Sequence, residues 1–145
     1  MEERLRKLVE RFESIGEQTL RDLPLFNAGL CVEALGFERD GDDFLGALIT
    51  PWFINIVALP TARLPYDEAR VGEATTLALP RGETRFTLGG DRAIGMLRSH
   101  PVRTSTVGVE NQEQARALAR EALAALRTGF DPGGTRLSRR QFLGR

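Results

Sequence analysis

The residues of this chain that could carry out chemistry are few and scattered along the sequence. His100 is the only histidine and Cys31 is the only cysteine. A nucleophilic site would need one of them, or Ser99 or Ser105, beside a base and an acid, and no nucleophile motif surrounds any of these residues. We therefore interpret His100 as a structural or exposed residue and Cys31 as a small buried hydrophobic residue.

Sites for metal ions and phosphate groups also lack their sequence patterns. Asp40, Asp42 and Asp43 form an acidic run, but the terminal glutamate of a calcium loop is missing, so a hairpin turn is predicted. Gly89-Gly90 and Gly133-Gly134 lack the Lys and Ser/Thr of a phosphate loop. A single cysteine excludes an internal disulfide and a CxxC redox pair. We expect no cofactor and no metal, and a binding protein rather than an enzyme.

The length, composition and net charge of the sequence point to a single domain. The chain has 145 residues and a formal net charge of zero, which argues against a dedicated nucleic-acid binder. Its first residues are charged and helical in pattern, unlike a secretory signal. Its longest uncharged run is interrupted by Pro51, so no membrane-spanning segment is predicted. A cytoplasmic protein is expected.

The elements that must position any site follow from periodicity and turn residues. An amphipathic helix is predicted at 2–16, with Gly16 as its end. A second helix is predicted to begin at Asn111, with Gln114 at the capping-box position, and to end at Gly129. The segments between them read as strands, with 91–99 ambiguous: 30–37, 44–49, 54–59, 75–79, 84–88 and 102–109. The expected fold is α+β, an antiparallel sheet of about five to six strands with one helix at each end of the chain. Residues 1–129 would form the domain and 130–145 a flexible basic tail.

The run from Gly46 to Pro60 contains no charged residue, although 28% of the chain is charged. Pro51 interrupts any helix there, so two buried strands joined at Thr50-Pro51 are predicted. Asn55 lies among apolar residues and is expected to be buried and to need hydrogen-bond partners. Trp52 and Phe53, at the break between the strands, are the residues expected to face a partner.

Three segments resemble the [NiFe]-hydrogenase assembly chaperones of the HybE/HupJ type. They are 23–28, 32–37 and 45–60, and Thr50-Pro51-Trp52-Phe53-x-Asn55 is their most specific part. The resemblance implies a non-enzymatic accessory protein of hydrogenase maturation. Such a protein would hold the precursor of the small subunit, alone or with the large subunit, before twin-arginine export. Some members of that family carry a rubredoxin-like iron module, which a chain with one cysteine cannot form. The segment 103–109 also departs from the Cys- or Ser-rich, aromatic sequence of the family.

A signal peptide that such a chaperone holds is a basic segment followed by an apolar one. Its apolar part would dock by strand addition or in a groove, with Trp52 and Phe53 as anchors. Its arginines would meet carboxylates of the chaperone. The predicted partner-binding residues are Thr50, Pro51, Trp52, Phe53 and Asn55 for the apolar part and Glu33, Asp67 and Glu68 for the arginines.

The end of the chain resembles the core of a twin-arginine signal, through Ser138, Arg139, Arg140, Phe142 and Leu143. No apolar segment follows Leu143 in this sequence, so we do not expect the tail to act as an export signal. One hypothesis is a pseudo-signal that occupies the chaperone's own peptide groove or competes for an acceptor of such signals. The alternative is a solubilising basic tail.

Two other functions remain open from the sequence. An enzyme acting on a small metabolite through His100 or Cys31 would lose its function in His100→Ala and Cys31→Ser. A small-ligand module would use the apolar run to line a cavity, and would copurify with its ligand.

Overall fold

A computed structural model describes residues 1–128, which form two helices and one six-stranded antiparallel sheet. This confirms the predicted α+β fold. The order across the sheet is β1-β2-β3-β6-β5-β4, so β1 and β4 are the edge strands. A π-helical turn follows α1 at Gly16–Leu20, and a 3-10 turn lies at Glu68–Arg70. The main elements are α1 (Glu2–Ile15), β1 (Glu33–Asp40), β2 (Asp43–Ile49), β3 (Ile54–Pro60), β4 (Ala74–Leu79), β5 (Gly82–Asp91), β6 (Gly95–Arg103) and α2 (Gln112–Thr128).

The sheet buries a separate apolar core on each face, because alternate residues of its strands point to opposite sides. On one face α2 packs against the sheet through Ala115, Ala119, Leu123 and Leu126. On the other face α1 contributes Leu8, with Phe12 at the margin. The central strands β2 and β3 supply both cores, which explains why their sequence from Phe44 to Pro60 carries no charged residue.

Two hairpins form where the turn residues predicted them. Asp40 pairs with Asp43 across a turn in which Gly41 has a φ of 62°, a left-handed value that favours glycine. In the second hairpin β4 pairs with β5 around the turn at Pro80 and Arg81. The uncharged run also divides as expected, into β2 and β3, at Thr50 and Pro51.

The α-helix ends at Ile15 with Gly16 as its C-cap, as predicted, but Gly16 keeps a φ of −60° and the chain continues in a π-helical turn to Leu20. The boundary predicted for the last strand was wrong. The last strand covers Gly95–Arg103, not 102–109, so Pro101 lies inside a strand. Pro101 is tolerated there because it pairs with Asn55, beside the irregularity in the β3–β6 register. Neither helix of residues 1–128 is long and apolar enough to cross a membrane.

Candidate functional site

The Thr-Pro-Trp-Phe segment is a tight turn fixed by the side chain of its first residue. The Thr50 Oγ1 accepts hydrogen bonds from the backbone N–H of Trp52 at 3.2 Å and of Phe53 at 2.9 Å. The same hydroxyl donates to the carbonyl oxygen of Phe53 at 3.0 Å. Thr50 is fully buried, so these bonds satisfy backbone groups that water cannot reach. The turn therefore presents Trp52 and Phe53 in one fixed orientation.

The carbonyl of Pro51 joins three separate parts of the chain. It accepts hydrogen bonds from the backbone N–H of Asn27 at 2.8 Å and from the Thr106 Oγ1 at 2.7 Å. The Asn27 Nδ2 in turn donates to the carbonyls of Thr106 and Val109, at 3.1 and 2.9 Å. Sequence analysis did not single out Asn27 or Thr106 as site residues, although Asn27 is a polar residue between apolar neighbours. These bonds hold two segments against the turn: the connector between Leu20 and β1, and the segment before α2.

Four rings form an aromatic cluster beside this turn: Phe12, Phe26, Trp52 and Phe53. The indole of Trp52 stacks between Phe12 and Phe26, with ring centroids 6.3 Å apart in each pair. Phe53 meets both Trp52 and Phe12 edge-on at 5.7 Å. Trp52 and Phe53 are both half-buried. Gly16 lies against the indole, where an added Cβ would be 3.0 Å from its ring. The junction between α1 and the π-helical turn therefore packs against Trp52, where a side chain at position 16 would be crowded.

Exposed apolar side chains lie on the two segments that are hydrogen-bonded to this turn. Leu23 and Leu25 belong to the connector that bonds the turn, and they are 43% and 45% exposed. Val107 follows Thr106 directly and is 74% exposed. Exposed apolar patches of this kind mark interaction surfaces. We refer to Leu23, Leu25, Trp52 and Val107 as the apolar end.

Asn55 differs from its prediction. Its residue is half-buried rather than buried, and its side chain makes no hydrogen bond with any residue of 1–128. It lies on the α1 face of the sheet, opposite Leu48 on β2 and Pro101 on β6. Its amide therefore has no partner within residues 1–128, and its role in binding a partner stays a prediction.

Glu33 lies at the same end of the sheet as the turn but on the opposite face. It pairs with Ile49 in the β1–β2 ladder, and its carboxylate contacts α2. The Arg116 Nε donates to Glu33 at 2.9 Å, and the Gln112 Nε2 donates at 2.9 Å. Hydrogen bonds to Glu113 and to Glu33 raise the pKa of Arg116. The carboxylate of Glu33 is thus already used to fasten α2 to β1.

Asp67 and Glu68 lie at the other end of β3. They belong to the segment that follows Pro60, while Trp52 precedes Ile54, and a strand of this length spans about 20 Å. The Asp67 Oδ1 accepts from the Ala69 N–H at 3.2 Å and so caps the 3-10 turn, and Glu68 is exposed. The structure therefore brings Thr50, Pro51, Trp52 and Phe53 together but places these two acids apart from them.

His100 and Cys31 do not form a shared site. His100 lies in β6, where its ring packs against Phe86 at 5.6 Å and its Nδ1 is 2.8 Å from the carbonyl oxygen of Arg85. Cys31 precedes β1 and is exposed, not buried as predicted. Strands β2 and β3 separate them, a distance of about 14 Å at the usual strand spacing. Within residues 1–128 no three His, Cys, Asp or Glu side chains are grouped so as to hold a metal ion.

The predictions for the tail lie outside the described residues. They concern Ser138, Arg139, Arg140, Phe142 and Leu143.

Comparison with known proteins gives consistent matches over nearly the whole chain. The family model described as "[NiFe]-hydrogenase assembly, chaperone, HybE" matches residues 3–145. The hydrogenase expression/formation protein HupJ of Bradyrhizobium diazoefficiens is 33% identical, over 94% of this chain and 84% of the relative. The protein HoxT of Cupriavidus necator is 33% identical, over 89% and 78%. A probable rubredoxin HupJ of Rhodobacter capsulatus is 31% identical over 82% of this chain, which spans only 43% of that longer protein. The solution structure of HybE from Escherichia coli superposes with a TM-score of 0.65 at 22% identity, over 98% of this chain and 90% of that one.

Proposed function

We propose that this chain holds the small-subunit precursor of a [NiFe] hydrogenase through the precursor's twin-arginine signal. The reason is that the chain belongs to the HybE family of [NiFe]-hydrogenase assembly chaperones. The large subunit would join the same complex. Holding would take place in the cytoplasm, before export, and would end when the cofactors of the hydrogenase are inserted. The chain would act by binding and not by catalysis.

The apolar end is the observation that carries this proposal. Leu23, Leu25 and Val107 are exposed on segments fixed by hydrogen bonds to the Thr50–Phe53 turn. Since the turn and the aromatic cluster are already rigid, a client segment that packs on them orders few side chains of the chaperone. Trp52 would be the central anchor, because its indole is held between Phe12 and Phe26 and is still partly exposed.

Acids on the chaperone would meet the arginines of the signal. Asp67 and Glu68 lie about 20 Å from the apolar end, a distance that an extended segment of six or seven residues spans. Glu33 is a weaker partner, because a client arginine would have to displace Arg116 from it. Asn55, whose amide has no partner within residues 1–128, would bond the backbone of the client.

Binding of the precursor tests the proposal directly. Full-length tagged chain is mixed with small-subunit precursor that retains its signal, and with the same subunit lacking the signal, and the dissociation constants are measured. We expect the precursor to bind at least tenfold more tightly. The double variant Leu25→Ser/Val107→Ser should weaken precursor binding by about tenfold, because it removes two exposed apolar contacts and leaves the core intact.

Val71→Ser is the matched control for this surface. Val71 is 45% exposed, like Leu25, but lies after the 3-10 turn, beyond the other end of β3. It should leave the dissociation constant unchanged. Equal binding of the precursor and the signal-free subunit would refute the signal as the bound segment, and equal losses in both variants would refute the apolar end as its site.

A further inference from the structure

A groove with acids on one wall and an apolar floor lies on the α2 face of the sheet. Two adjoining cavities of about 440 and 300 Å³ form it, and they share Asp42, Asp43 and Arg98. The sheet curves so strongly that the β1–β2 turn faces the other edge strand, β4, across this space. We call it the acidic groove. Its apolar floor consists of Leu45, Leu77 and Leu79 on one side of the shared residues and of Leu64, Leu88 and Met96 on the other.

The charges along the acidic groove leave two carboxylates without partners. Asp43 is satisfied, since the Arg98 Nη2 contacts it at 2.7 Å and their side chains are only 11% and 23% exposed. Arg70, the other cation of the lining, is paired with Glu73 at 3.2 Å. Asp40 and Asp42 are exposed, and neither carboxylate makes a hydrogen bond or ion pair with any other residue of 1–128. The groove therefore fits a segment that combines guanidinium groups with apolar side chains.

Helix α2 ends at the opening of the acidic groove. The Arg127 Nη2 donates to the carbonyl of Leu45, a floor residue, at 2.6 Å. The carbonyl of Leu126 accepts from the backbone N–H of Arg81 at 3.2 Å, just beyond Leu79 on the opposite wall. The last turn of α2 is thus held between β2 and the turn that joins β4 to β5, and the chain that follows Thr128 begins there.

We propose that the acidic groove binds the C-terminal segment of this same chain, residues 136–143. From Arg136 onward the sequence has four arginines and no acid, and it carries Phe142 and Leu143. The guanidinium groups of Arg139 and Arg140 pair with Asp40 and Asp42, and the two apolar side chains pack on the leucines of the floor.

Chain length permits this contact. The segment between Thr128 and Arg139 spans up to about 35 Å when extended, which exceeds the length of β4, about 20 Å. Because the segment is tethered beside the groove, its effective concentration there is in the millimolar range, so weak individual contacts suffice. The contact involves no client and is independent of the proposed function.

Paramagnetic relaxation in the full-length chain tests the proposal. A spin label is placed at residue 144 by Gly144→Cys in a Cys31→Ser background, and the broadening of each backbone amide is measured. We expect broadening at 40–43 and 77–79. The double variant Asp40→Asn/Asp42→Asn should reduce it by about threefold to tenfold, because it removes both partners of the arginines.

Glu13→Gln/Glu17→Gln is the matched control, since both acids are exposed and lie on or just after α1, on the other face of the sheet. It should leave the broadening at 40–43 unchanged. Broadening around Trp52 instead, or nowhere in 1–128, would overturn the proposal. A mixture of spin-labelled chains with isotope-labelled chains that carry no spin label measures the broadening between chains. If that broadening is as strong as the broadening within one chain, the groove binds the tail of a second copy and the intramolecular contact is overturned.

Discussion

Thr50→Val should destabilise the fold by more than the size of the change suggests. Valine has nearly the same shape, so the buried site stays filled, but it cannot accept the hydrogen bonds from the N–H groups of Trp52 and Phe53. The carbonyl of Phe53 keeps its bond from the backbone N–H of Thr50, at 2.9 Å. Two donors therefore lose their acceptor, at about 1–1.5 kcal/mol each, so the free energy of unfolding should fall by about 2–3 kcal/mol.

Thr50→Ser is the control, because it keeps the hydroxyl and removes only the methyl group, at about 1 kcal/mol. Urea unfolding followed by the fluorescence of Trp52, the only tryptophan, measures both variants at the site itself. In thermal unfolding the Val variant should melt about 4–10 °C below the parent and the Ser variant about 2–4 °C below. If the Val variant proves as stable as the Ser variant, the hydroxyl does not fix the turn.

Three further predictions concern other contacts of the fold. Gly46→Ala should lower the free energy of unfolding by about 3 kcal/mol or more, because its Cβ would lie 2.4 Å from the ring of Phe37; Gly89→Ala, which meets nothing within 4 Å, is the control in urea unfolding. Partial burial alone raises the pKa of Asp91, but hydrogen bonds from Arg11, Ile94 and Ala93 lower it overall. The ionised Asp91 carboxylate therefore stabilises the fold above its unfolded pKa of about 3.9, and this stabilisation is lost as the pH falls through its pKa in the folded state. Asp91→Asn should flatten the dependence of the urea midpoint on pH below about pH 4. Asp43→Asn should lower the free energy of unfolding by about 2–3 kcal/mol in urea unfolding at pH 7, because Arg98 is left mostly buried without a counter-charge. A loss no larger than that of Asp42→Asn would contradict this.

Much of the fold could be predicted from the sequence because it rests on local signals. The turn at Gly41, the division of the uncharged run at Pro51 and the amphipathic pattern of α2 each depend on a few adjacent residues. Errors occurred where distant residues decided the outcome. Gly16 marks the end of α1 as predicted, but the π-helical turn that follows it has no local signal in the sequence. Pro101 indicates the edge of a strand, yet an irregular register with β3 accommodates it inside β6.

The sequence alone determined the α+β class, the tight turn carrying Trp52 and Phe53, and the resemblance to a family of hydrogenase assembly chaperones, since these follow from residue type and short-range order. Only the tertiary structure decided which residues share a surface. It joined Asn27 and Thr106 to the turn, engaged Glu33 with Arg116, separated Asp67 and Glu68 from the aromatic cluster, and placed Asp40 and Asp42 opposite β4. The physical reason is that such contacts depend on how strands order and curve within the sheet, and on hydrogen bonds between segments far apart in the chain, which periodicity does not encode.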